Sequence, residues 1–205
     1  MMPARFSKAI AAMAFFFTTL HAGLTWAAPD AVAGKTKAQV CAACHGEAGV
    51  ATVPGVPHLA AQPPLSIFYQ LLQFRDQRRK GGGMEGMAAS LSETDMRDIA
   101  AFYASLPPPP AQSGGNAEKI ARGQQIAQQQ YCSSCHGARL QGQKHVPRLS
   151  GQSSAYFTEQ LRNLRSGARA DMDGTMASAA RSFTDPPGFM NSALPRIVQP
   201  VASEA

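Results

Sequence analysis

All four cysteines of this 205-residue chain fall in two copies of one pattern, Cys41-Ala-Ala-Cys44-His45-Gly46 and Cys132-Ser-Ser-Cys135-His136-Gly137. The register persists downstream. Pro57 answers Pro147, Leu59 answers Leu149 and Gln62 answers Gln152; Gln70-Leu71 answers Gln160-Leu161, Arg75 answers Arg165 and Arg79 answers Arg169. Met84 answers Met176, Ala88 answers Ala180 and Leu91 answers Phe183. An offset that drifts so little over about fifty positions marks a duplicated unit. Each unit is only about 80–90 residues long, a size that folds marginally without a group bound in its core.

The motif says what that group is. On one helical turn, residues i, i+3 and i+4 share a face. Two thiols at i and i+3 can bond the two vinyl groups of one haem as thioethers, and the following His then reaches the iron. This is the signature of c-type haem attachment. Cys41, Cys44, Cys132 and Cys135 are therefore the expected covalent attachment points of two haem c groups, with His45 and His136 as axial ligands. A zinc site would need four ligands, drawn from motifs in separate units. A thioredoxin-like redox pair would need a βαβ context, and disulfides within each motif would leave both histidines unexplained.

The second axial ligand decides the chemistry. Iron held by His alone keeps an open site, whereas His with Met closes both faces and leaves electron exchange. The repeat selects Met84 and Met176, each seven residues before a bulky apolar residue, Leu91 or Phe183. Met87 and Met172 have no partner at the matching offset and read as core or surface, although Met87 stays a rival in the first unit. His58 matches Arg148, which argues against ligation by two histidines. Pro57 and Pro147 each have a carbonyl suited to accept the second ring proton of the nearby His. Spacing alone equally allows them to be loop punctuation.

Hydrophobic residues make up 44%, an ordinary globular content, and charged residues only 16%. No alternating strand pattern of any length occurs, so the expected class is all-α. Helical segments are expected over residues 35–43 and 117–134, running into the motifs, and over 64–78 and 154–165. Another is expected over 92–105, capped by Ser92 with Asp95 in its first turn and a stripe of Met96, Ile99, Ala100 and Tyr103. Residues 1–27 read as a secretion signal: Arg5 and Lys8 precede an apolar stretch that ends in Thr25-Trp26-Ala27-Ala28, with cleavage expected after Ala27. An uncleaved membrane anchor is the competing reading, and the run is short for it. Residues 28–106 and 117–205 are then the two units, and 107–116, opening with four prolines, is the linker.

Losing Arg5 and Lys8 takes the formal charge from +6 to +4, with residues 28–106 neutral and 107–205 carrying the excess. No basic run exceeds Arg78-Arg79-Lys80, so nucleic-acid binding is not expected. Two propionates on each haem would bring the whole near neutral, with the first unit negative and the second positive. That asymmetry would steer docking. No nucleophile–base pair stands out, which fits a carrier and not an enzyme. The rival class is a di-haem peroxidase-like enzyme with one five-coordinate iron, or a subunit feeding a catalytic partner.

With "VPHLAAQ", "VPRLSGQ", "MEGMAASLS" and "MASAARSFT" beside the two motifs, the chain resembles the cytochrome c4 family, periplasmic proteins of two class I cytochrome c domains. The match covers nearly all of residues 35–184. The resemblance implies His45 and Met84 on one iron, and His136 and Met176 on the other. It also implies electron transfer in a respiratory chain toward a haem-copper oxidase, with redox partners such as a cytochrome bc complex or a dehydrogenase and peripheral contact with the membrane. Related two-haem subunits serve sulfide-oxidising flavoproteins, so fold alone leaves the partner open. One departure stands out. The first unit closes with "LSETDMRDIAAFYASLP", but after Thr184 the second reads Asp185-Pro186-Pro187-Gly188, with Pro195 and Pro200 beyond. A long closing helix is not expected there, which predicts a less shielded second haem.

Overall fold

The computed structural model describes residues 28–110 and 117–182. The expected signal segment, the Gly-bearing end of the linker, Phe183 and the tail beyond Thr184 lie outside the described residues. Within them the chain is helical, as expected; the one β contact is an isolated bridge between Gln143 and Val146.

In the first unit α1 (Ala31–Lys37) starts on Asp30, whose carboxylate accepts the Val32 and Ala33 N–H groups at 2.8 and 3.2 Å. A 3-10 turn (Ala38–Cys41) leads into α2 (Ala42–His45). Helix α3 (Pro64–Arg75) opens with a proline, where a missing N–H costs nothing. Helix α4 (Met84–Ala88) follows a glycine triplet. Helix α5 (Glu93–Ser105) opens on the expected cap, Ser92 and Asp95 each accepting the other's backbone N–H. Its stripe is the core: Met96, Ile99, Ala100 and Tyr103 are all buried, against Ile67, Phe68 and Leu71 of α3. Burying each large side chain contributes about 1.5–3 kcal/mol. Helix α1 crosses α5 at Gly34, where a Cβ would lie 1.9 Å from the Asp98 carbonyl oxygen. Lys37 fastens the same crossing by pairing with Asp95 and Asp98, both at 2.7 Å.

The second unit repeats the plan with α6 (Ala117–Gln129), α7 (Cys132–His136), α8 (Ser154–Ser166) and α9 (Thr175–Ser182). Ala127, Leu161, Leu164, Ala177 and Ala180 form its described core. One expectation is corrected: residues 117–134 are not a single helix. The chain breaks at Tyr131, which sits in the left-handed region at φ 53°. The reason is an insertion. Gly34 and Ala38 are buried four residues apart, as are Gly123 and Ala127, but the first cysteine follows Ala38 by three residues and Ala127 by five. Two extra residues in a continuous helix would swing the motif about 200° off its face. The break at Tyr131 restores its aim.

The units meet through reciprocal contacts between repeat-equivalent residues. Gln62 grips the backbone of Arg148, donating to its carbonyl and accepting from its N–H, each at 2.9 Å. Gln152 grips His58 in the same way, at 3.0 and 2.8 Å. The seam therefore has local two-fold character, as expected for a duplicated unit packed on its own copy.

Candidate cofactor sites

Each motif lies on one short turn of helix and ends at a buried histidine; His45 is 5% exposed and His136 6%. Nδ1 of His45 lies 3.0 Å from the Pro57 carbonyl oxygen, and Nδ1 of His136 lies 2.8 Å from that of Pro147. A carbonyl only accepts, so each Nδ1 carries the ring proton and each Nε2 keeps its lone pair. Burial is the main cause that holds both imidazoles below the ordinary histidine range. A neutral ring, oriented by a carbonyl and offering Nε2, is what a metal ligand requires. The two prolines, whose role spacing left open, are thus acceptors.

The glycine after each histidine is obligatory. Gly46 and Gly137 sit at φ 77° and 83°, and a Cβ at Gly46 would meet the Val50 carbonyl oxygen at 2.4 Å. The loop beyond is held by one carbonyl that accepts two N–H groups. In the first unit this is Gly49, accepting from Leu59 and Ala60 at 2.8 and 3.1 Å. In the second it is Leu140, accepting from Leu149 and Ser150 at 2.9 and 3.0 Å. These bonds carry each proline back over its histidine.

The cysteines come in like pairs, the first of each motif half-buried and the second exposed, and none is joined in a disulfide. Burial pushes the Cys41 and Cys132 thiols up from their ordinary value. Among the described residues no three His, Cys, Asp or Glu side chains converge as a metal site.

Met84 stands at the start of α4 and Met176 in the first turn of α9; both are half-buried, each against the core of its own unit. Met87 and Met172 are 44% and 51% exposed. His58 is buried and spends Nδ1 on the Ala51 N–H at 2.9 Å, while His145 is exposed with its ring against Tyr69.

Sequence reasoning noted Arg79 and Arg169 only as matched positions; the fold brings them together. Arg79 donates to Gln70, Tyr156 and Gln160, and Arg169 donates to Gln160 and Gln70, all neutral acceptors. Arg79 is 7% exposed, and Nε of Arg169 is buried with no partner. Burial, and then the neighbouring Arg79, pull Arg169 down to about 10. Two close guanidiniums with an orphaned N–H call for an anion. The propionates of a haem supply that chemistry, and together with the paired thiols and free Nε2 atoms the residues fit the group.

Comparison with known proteins agrees. Residues 28–102 match the family model described as "Cytochrome C oxidase, cbb3-type, subunit III", and residues 120–196 match that described as "Cytochrome c". The chain is 36% identical over 156 residues to cytochrome c4 of Pseudomonas aeruginosa, covering 73% of this chain and 78% of the relative. It is 34% identical over 174 residues to the thiosulfate dehydrogenase electron acceptor of Thiomonas intermedia, covering 79% and 80%. The crystal structure of reduced cytochrome c4 from Pseudomonas stutzeri superposes with a TM-score of 0.75 at 28% identity, over 84% of this chain and 99% of that one.

Proposed function

The chain belongs to the cytochrome c4 family and is a di-haem, c-type electron carrier; from that premise we propose that it is exported to the periplasm and passes electrons along a respiratory chain toward a terminal haem-copper oxidase. In this reading residues 1–27 are removed on export. The units are 28–106 and 117–205, joined by 107–116.

When bound, each haem c supplies a one-electron Fe(III)/Fe(II) couple. The protein does the rest. Cys41 and Cys44 hold one haem by thioethers and Cys132 and Cys135 the other. His45 with Met84 would hold one haem iron and His136 with Met176 the other, a ligand set that would supply electron exchange. The Pro57 and Pro147 carbonyls orient the imidazoles. Arg79 and Arg169 would offset the charge of a bound haem's propionates. Thioether sulfur is a soft ligand that favours the ferrous state and raises the potential.

The observation that carries the ligand set is the repeated buried histidine with Nδ1 spent on a proline carbonyl. The test is haem stoichiometry and the ferric charge-transfer absorption of Met-ligated iron on protein expressed with haem-maturation machinery. Two haems and two Met-ligated centres per chain are expected. One open iron with peroxide turnover would favour the peroxidase reading.

A second reading concerns the donor. The Thiomonas relative is named as the electron acceptor of thiosulfate dehydrogenase, which supports a dehydrogenase as the source of electrons here. Stopped-flow reduction by such a dehydrogenase, set against reduction by a cytochrome bc complex, separates the two. The charge difference between the units predicts that docking slows as salt rises.

A further inference from the structure

We propose that the two interface glutamines tune the irons crosswise: Gln152 of the second unit sets the strength of the His45 hydrogen bond in the first, and Gln62 of the first sets that of His136 in the second. The proposal rests on His45 and His136 being the iron ligands.

The argument starts from one peptide group. The Pro57 carbonyl and the His58 N–H are two ends of the same planar amide. Its oxygen accepts the His45 Nδ1–H at 3.0 Å, and its N–H donates to Gln152 Oε1 at 2.8 Å. The second unit repeats this: the Pro147 oxygen accepts from His136 at 2.8 Å, and the Arg148 N–H donates to Gln62 Oε1 at 2.9 Å. The amide is conjugated, so an acceptor at its N–H end draws electron density onto its oxygen. Chained hydrogen bonds strengthen one another by roughly 10–30% each. A stronger acceptor makes the imidazole a better donor to iron, which favours the ferric state and lowers the potential.

The placement suits such tuning. Gln62 and Gln152 are 7% and 5% exposed and His58 is 9% exposed, so water is kept from the His58 clamp; Arg148 is half-buried. Each glutamine is also fixed the right way round. Its Nε2 donates to the carbonyl of the same residue whose N–H it accepts, at 2.9 Å for Arg148 and 3.0 Å for His58. That leaves Gln62 Oε1 on the Arg148 N–H, and Gln152 Oε1 on the His58 N–H and also on that of Ser153 at 2.9 Å. Because each clamp crosses the seam, each iron senses how the other unit is docked.

The test is a haem-resolved NMR redox titration of the full-length di-haem protein carrying Gln152→Met or Gln62→Met, side chains of similar length without the amide. In Gln152→Met the reduced-to-oxidised ratio of the first-unit haem should rise about threefold at a given potential, ~30 mV at 59 mV per tenfold, with the second-unit haem unmoved. Gln62→Met should show the mirror image. Both variants open the same seam, so a merely structural role would move the same haem or haems in both. That result, or a shift confined to the substituted unit, overturns the proposal. In the unaltered protein the His58 and Arg148 amide protons should exchange as slowly as helical core amides; exchange at the rate of open loops overturns it without any variant. A wild-type protein lacking two His/Met haems would instead refute the ligand set.

Discussion

The first unit enters its motif through a 3-10 turn at Ala38–Cys41, and the second through a helix that stops at Gln129 and a left-handed Tyr131. The first aims its loop with Gly49 at φ 68°, and the second forces Leu140 to φ 53° at the same place in the repeat. The first leads to its methionine helix through Gly81, Gly82 and Gly83, all at positive φ. The second caps that helix with Asp171, whose carboxylate accepts the Met176 and Ala177 N–H groups at 2.6 and 3.3 Å. Yet both deliver a histidine whose Nδ1 meets a proline carbonyl at 2.8–3.0 Å. The invariant is the histidine's orientation. The backbone devices that produce it are interchangeable, because any local conformation that brings the proline over the ring suffices.

The largest effect should come from the proposed iron ligands. Met84→Ala and Met176→Ala should each halve the ferric charge-transfer absorption, in the haem of the altered unit only. Full absorption in Met84→Ala would hand the role to Met87 and break the equivalence of the units. Next, Gly34→Ala drives a Cβ into the Asp98 carbonyl and should destabilise the first unit by about 3 kcal/mol, read as an early thermal transition. Gly49→Ala should follow at about 1–2 kcal/mol, since the left-handed conformation strains any Cβ and the Ala60 N lies 2.9 Å away. Leu140 tolerates that conformation in the second unit, so a neutral Gly49→Ala would show that the loops are less distinct than their glycines imply. Asp171→Ala removes a cap found only in the second unit's loop and should cost about 1 kcal/mol, with faster exchange of the Met176 amide.

The smallest effect is a pH dependence of the first unit. Hydrogen bonds from Lys37, and then from Ser92, hold Asp95 at about 2, and Lys37 also lowers Asp98. A carboxylate depressed in the folded state stabilises above its ordinary 3.8 and loses that contribution as pH falls toward about 2. The first unit's melting temperature should therefore drop across that window, and Lys37→Met should flatten the drop.

Much of this was legible in the residues. The duplicated motif requires a turn of helix with two thiols and an imidazole on one face, and Ser92-Glu-Thr-Asp95 is a local cap that forms as read. The break before Cys132 was not legible. Residues 117–134 have good local helix propensity, and only the fixed burial of Gly123 and Ala127 makes a continuous helix point the motif the wrong way. The glutamines and arginines of the seam were visible as matched pairs without a role, since their partners in the other unit lie 77–99 residues away.

Local sequence spacing thus determined what each unit binds, because attachment chemistry acts within one helical turn. How the units regard each other was decided only by tertiary structure. A side-chain amide has no preferred partner until packing excludes water and leaves it one peptide to grip.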